Sequence, residues 1–269
     1  MRKILVTVMM MATMILKVSA QDVESFSIPL TFPDKEGTLH IGLITGSIKV
    51  TSHATNDVNV SFTNTGNRKQ SRGPETKNGM KKITGGAGYG IVATEKNNKV
   101  EIGTENPNHD VNLHVRVPKN FSLKLSTIND GDIEVENVIG NHEISNINGS
   151  INMRNVGGSV VANTLNEDIN ISFTSVKPNT PMAFTNLNGD INLSLPAATK
   201  FDVKTRSENG NVYTDFDIQV STGTEAAKTT KKNGYYKVSK ESSIKGKING
   251  GGSEIIMTTM NGDITIKKL

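Results

Sequence analysis

The 269 residues contain no cysteine and no tryptophan. Without cysteine, a chain that leaves the cytosol has no disulfide framework and no thiol to carry a lipid anchor, so its stability must come from packing. Without tryptophan, and with aromatics at only 4%, large rings are scarce for a thick core or for stacking against sugars. Hydrophobic residues make up 35% of the chain, below the roughly 45–50% of ordinary globular domains. A thin, elongated core is expected, and repeats are the way to build one. A long hydrophobic run is missing too. The longest, Ile4 to Leu16, holds 13 residues, short of the roughly 20 that cross a bilayer.

That run follows Arg2 and Lys3 and precedes the small residues Val18-Ser19-Ala20. The three parts predict an export signal over 1–20, cut before Gln21, and no transmembrane segment in what remains. The expected location is the periplasm, the cell surface or the extracellular space. The full chain carries +4. Loss of Arg2, Lys3 and Lys17 leaves 27 basic against 26 acidic residues, so no global charge argues for nucleic acid.

What is present is a repeat. Cut every nine residues from Gly131, the chain reads GDIEVENVI, GNHEISNIN, GSINMRNVG, GSVVANTLN and EDINISFTS. The third place holds Ile133, His142, Ile151, Val160 and Ile169; the fifth holds Val135, Ile144, Met153, Ala162 and Ile171. The eighth holds Val138, Ile147, Val156 and Leu165, and the seventh repeats Asn137, Asn146 and Asn155. Apolar residues two apart share one side of a strand, and Gly, Asn and Asp between them supply turns. Nine residues make a strand and a corner but cannot enclose a core, so two pieces form one coil. Asn188-Gly189-Asp190-Ile191, Asn209-Gly210-Asn211-Val212 and Asn261-Gly262-Asp263-Ile264 continue the pattern. One inward column is therefore expected: Ile133, Ile151, Ile169, Ile191, Val212 and Ile264.

The fold class is all-β. A β-solenoid (single-stranded β-helix-like, coils of about 18–22 residues) is favoured, because residues 18 apart match better than residues nine apart. Asn also recurs where stacked amides can bond along an axis. An antiparallel β-sandwich is the alternative, since its strands also alternate and its turns also favour Asn-Gly. Strands are further expected at Phe26 to Leu30, Leu39 to Val50 around a turn at Thr45-Gly46-Ser47, Asp57 to Phe62, Val111 to Val117 and Phe121 to Leu125. Residues 21–269 form one domain, with long polar loops near 64–82 and 221–247.

Three stretches carry a resemblance: Val115 to Ile171; Ile244 to Lys268 (IKGKINGGGSEIIMTTMNGDITIKK); and Leu39 to Val50 with the alternating DVNV that follows. They resemble a bacterial β-strand-repeat family of unknown function known as "putative adhesin", with exported members in Bacteroidetes. The resemblance implies a single-stranded β-helix-like fold, export and an adhesive role, and brings no catalytic or binding residues with it. One departure is Asn166-Glu167-Asp168 in place of Asn-Gly-Asp, which predicts a looser corner there.

The chemistry of an enzyme is largely missing. Gly85-Gly86-Ala87-Gly88-Tyr89-Gly90 lacks the Lys-Ser/Thr and the helix of a phosphate loop, and Ile91-Val92-Ala93 reads as strand. A calcium roll needs Gly-Gly-x-Gly-x-Asp, but Asn141, Ser150 and Ser159 fill the equivalent places, and Asp130/Asp132/Glu134/Glu136 reads as a solvated acidic face. His109 and His114 fall on opposite strand faces, and His142 belongs to an inward column. No Gly-x-Ser-x-Gly occurs. Catalytic, metal and cofactor residues are accordingly expected to be none.

The expected function is a non-catalytic envelope or surface module for extended polymers: glycans, peptidoglycan or other envelope proteins. The alternative is a β-helix polysaccharide lyase or hydrolase using Asp132, Glu134, Glu136 and Arg154. The outward positions are Asp132, Glu134, Glu136; Ser150, Asn152, Arg154; Asp168, Asn170, Ser172; and Asp190, Asn192, Ser194. Basic clusters at Arg68, Lys69, Arg72, Lys77, Lys81, Lys82 and at Lys228, Lys231, Lys232, Lys237, Lys240 read as solubilising loop charge that could also draw anionic polymers.

Overall fold

A computed structural model describes residues 23–64, 76–77, 80–81, 90–105, 110–220, 228–232, 235–239 and 243–269. The expected export signal over 1–20, Gly85 to Tyr89, His109 and the first basic cluster apart from the backbone of Lys77 and Lys81 lie outside them. Among the described residues the chain is all-β, with 20 strands in one mixed sheet. No helix among them is long and apolar enough to cross a membrane.

The sheet folds around one core as two walls. The first wall stacks Val111–Pro118, Ile48–His53, Ile133–Glu136, the start of Ile151–Asn166, Ile169–Val176, Ile191–Leu195, Ile264–Lys268 and Val212–Thr214, each parallel to the next. The second stacks Lys99–Thr104, Gly37–Gly42, Phe121–Thr127, Ile139–Asn146, the end of Ile151–Asn166, Met182–Asn188, Ser253–Asn261 and Phe201–Asn209, again in parallel. Among the described residues, antiparallel strands join the main sheet only toward its ends, such as Asp57–Asn64 on Val111–Pro118 and Ile244–Ile248 on Phe201–Asn209. The sandwich alternative fails over 131–195, where every pairing is parallel. Hairpins would have placed sequence neighbours side by side; here the 18-residue neighbour takes that place.

The inward column forms as the repeat requires. Ile48, Ile133, Ile151, Ile169, Ile191 and Ile264 pair in register and are fully buried. Val212 ends the column beyond Ile264. Chain order and stacking order therefore part company: offsets of 18, 18 and 22 residues hold from Ile133 to Ile191, after which Ser253–Asn261 and Ile264–Lys268 are inserted before Phe201–Asn209 and Val212–Thr214. The same permutation puts Gly37–Gly42 between Lys99–Thr104 and Phe121–Thr127. Both excursions carry the polar stretches. The one near 221–247 is not all loop, since Lys228–Lys232 pairs with Tyr235–Ser239 and Ile244–Ile248 joins the main sheet. A two-residue pairing, Thr76–Lys77 with Met80–Lys81, likewise lies within 64–82.

Two repeat places do double duty. At the eighth, Val138 and Val156 are buried while Ile147 and Leu165 are exposed. After the first wall the chain turns at Asn137 and Asn155, both in the left-handed region (φ 62° and 53°), which carries the next residue inside. On the second wall the strand runs on, so Ile147 keeps the outward parity of Glu143 and Ser145. At the seventh place, Asn146 instead turns inward and donates to the Gly131 carbonyl at 2.9 Å.

That bond recurs at the same corner of five further tiers. Thr127 donates to Gly46 O (3.0 Å), Thr164 to Gly149 O (3.1 Å), Asn186 to Glu167 O (2.8 Å), Thr259 to Gly189 O (3.1 Å) and Ser207 to Gly262 O (2.8 Å). Each of these side chains, all buried except the half-buried Ser207, satisfies a carbonyl that the turn withdraws from the ladder. Outside the same corner, Asn148, Asn166, Asn188, Asn261 and Asn209 each donate an amide to the Asn of a neighbouring tier at 2.7–3.4 Å, with Asn129 accepting at the end. The corner at Glu167 is not looser. Asn166 stays in the amide ladder and Asp168 accepts the Asp190 N–H; the departure shows only as a φ of 81° at a non-glycine residue.

Candidate functional site

The outward side of the first wall brings together every residue the repeat assigned to it. Glu134 lies beside Asn152, and Glu136 beside Arg154. Asn152, Asn170 and Asn192 form one column, and Ser172 faces Ser194. Asn170 donates to Asn152 at 3.1 Å and Asn192 to Asn170 at 2.9 Å. The amides are thereby held in one orientation at one strand spacing, about 4.8 Å.

The acids are occupied. Asp132 accepts both the N–H and the hydroxyl of Ser150 at 2.8 Å. Asp168 accepts from Asp190 N, Asp190 from Asp263 N, and Asp263 from Asn211 N, all at 2.8 Å. These carboxylates tie one tier to the next. Glu134 and Glu136 meet Lys49 at 2.9 and 3.6 Å, and Glu136 meets Arg154 at 3.3 Å. The hydrogen bond that Lys49 donates to Glu134 is the main reason its ammonium is held above its ordinary pKa.

Sequence reasoning did not place Lys49, His114 or Arg116 on this face, which they extend from other strands of the chain. A signal for Lys49 exists: Gly46-Ser47-Ile48-Lys49-Val50 repeats Gly149-Ser150-Ile151-Asn152-Met153. His114 bonds Thr51 through Nε2 at 3.1 Å. Burial, and then the cations of Lys49 and Arg116, lower its pKa, so it is neutral at neutral pH. Beside it opens a cleft of about 360 Å³ lined by Lys49, His114, Asp132, Glu134, Asn112 and Phe62, among others. Among the described residues, no group of three or more His, Asp or Glu side chains is placed to hold a metal ion.

The second wall presents a different surface. Its outermost column is apolar: Ile44, Ile128, Ile147, Leu165, Leu187 and Met260. The next, Ser126, Ser145, Asn163, Thr185 and Thr258, is short and uncharged up to the last tier, where Arg206 ends it. The third runs Lys124, Glu143, Val161, Ala183, Ile256 and Lys204.

The profile of the Toastrack DUF4097 family matches residues 13–267. The chain belongs to that family. The match takes in both walls and both excursions. Toastrack DUF4097 membership leaves the function open. Among solved structures the chain is similar to a "putative cell adhesion protein" from Clostridium sporogenes, at 13% identity and a TM-score of 0.46, covering 92% of this chain and 99% of that one. It is also similar to a "putative adhesin" from Bacteroides fragilis, at 11% identity and a TM-score of 0.28, covering 93% and 98%. No curated protein matches the chain.

Proposed function

We propose that the chain is an exported, non-catalytic β-solenoid of the bacterial envelope or surface, whose first wall holds extended polymers such as glycans or peptidoglycan, or other envelope proteins. The solenoid reading rests on the parallel register repeated at 18–22 residues through 121–195. The observation that carries the function is the state of the first wall. Its five central acids each already receive a donor, while the half-buried amides of Asn152, Asn170 and Asn192 have donor and acceptor capacity beyond the bonds they make to one another and to Ser150. A general base needs a carboxylate free to take a proton; a binding wall needs ordered, repeated donors and acceptors. Single contacts of this kind are weak, and avidity comes from their number.

The test is a binding screen of the exported chain on glycan, peptidoglycan and host-matrix arrays, repeated with Asn170→Leu, which breaks the amide column at its centre. Retention that drops at least tenfold in the variant supports the reading, and retention that ignores the substitution defeats it. The lyase or hydrolase reading draws on the clustering of Lys49, His114 and Glu134 at the cleft. Turnover of an anionic polysaccharide that disappears in Glu134→Gln would replace the binding reading with that one.

A further inference from the structure

We infer that the outward face of the second wall is the interface of a two-fold dimer of this chain, with the strand Met182–Asn188 on the axis. Leu165, Leu187 and Met260 are 38–48% exposed in consecutive tiers, and the column continues through Ile147 and Ile128. Isolated surface leucines need no explanation, but a continuous line of six apolar side chains on one sheet face does.

A second copy fits this face in size and charge. With that strand on the axis, five tiers, from Ile139–Asn146 to Phe201–Asn209, face their copies. At about 4.8 Å by four outward positions at about 6.6 Å they give a footprint of about 630 Å², at the low end of the roughly 600–1,000 Å² per partner of a stable complex. Two sheets packed face to face lie about 10 Å apart, and the central columns are short enough to permit it. A two-fold axis along the Met182–Asn188 strand reverses the order of tiers and keeps each column opposite itself. Leu187 then meets its own copy, Leu165 meets the partner's Met260, and Val161 meets the partner's Ile256. Glu143 stands two tiers to one side of the axis and Lys204 two tiers to the other, so each Glu143 faces the partner's Lys204. Lys204 has no ion pair among the described residues, and Glu143 has only the exposed Lys124, at 3.0 Å. The apolar centre with an ionic rim is the usual composition of such an interface.

Light scattering on the exported chain across a concentration series tests this. Twice the single-chain mass is expected. Leu187→Lys gives the single-chain mass with an unchanged melting temperature, because the side chain faces outward. Glu143→Lys weakens association at least tenfold, and adding Lys204→Glu restores it. Because the chain has no cysteine, Thr185→Cys gives a covalent dimer with a bifunctional maleimide spanning about 10 Å, and Asn170→Cys on the opposite wall does not. A single-chain mass at every concentration, or a dimer indifferent to Leu187→Lys, overturns the proposal.

Discussion

His142 is the least comfortable residue in the core. It stacks between Leu123 and Val160 in an inward column, and neither ring nitrogen has a hydrogen-bond partner. The carbonyls of Gly157 and Val138 lie near enough to favour a protonated ring, but not in geometry to bond it. Burial dominates and pushes its pKa down to about 4. Between the ordinary value of 6.5 and 4, the unfolded chain takes a proton that the folded chain refuses. Stability is therefore complete above pH 6.5 and falls as pH drops, by about 3 kcal/mol at pH 4. His142→Leu should flatten this part of the profile and raise the melting temperature at neutral pH as well, since an unpaired buried polar group is removed. Thermal melts of both proteins from pH 7 to 4 check it; parallel curves would contradict the burial. The inward and outward assignments have their own test in a pair of neighbours. Ile151→Asp buries a charge with no partner and should cost about 4 kcal/mol or more. Asn152→Asp faces outward, still accepts from Asn170, and should cost about 1 kcal/mol or less. Urea unfolding of the two variants separates them.

At the scale of the element, the corner sets the spacing between tiers. A Cβ on Gly189 would lie 2.5 Å from the Glu167 carbonyl, at a φ of +140°. Gly189→Ala should therefore destabilise by about 2 kcal/mol or more, because the obstacle is backbone. Glu167 occupies the equivalent place one tier away with a φ of 81°, at a cost of about 1–2 kcal/mol for a side-chain-bearing residue. Part of that cost is offset by the unfolded-state entropy a glycine would add. Glu167→Gly should then stabilise by up to about 1 kcal/mol, with the Asn166 and Asp168 bonds intact. Chemical unfolding of both corner variants should move the midpoint in opposite directions.

For the whole molecule, the two excursions decide the shape of the ends. Each carries the chain past a tier that a later segment fills, and each lets antiparallel strands occupy the terminal edges. Exposed parallel edges invite further pairing, and covering them limits uncontrolled end-to-end growth. Export belongs to this scale too. Intact-mass measurement on material from a bacterial envelope should find a chain beginning at Gln21. Retained Met1 would overturn the signal reading.

The repeat from Gly131 to Ser175 determined the local structure by itself. Alternation at the third and fifth places set which side of each strand is buried, and the 18-residue match set the register, because both are properties of short stretches with a fixed side-chain period of two. Tertiary structure alone decided the rest. Whether the eighth place points in or out depends on whether the chain has just turned a corner. Lys49 and His114 joined the acidic face because parallel pairing brought together strands some 85 and 20 residues away from Glu134. The stacking order at the ends followed from which strand could cover an exposed edge. These are relations between segments distant in the chain, and a periodicity read along one stretch does not contain them.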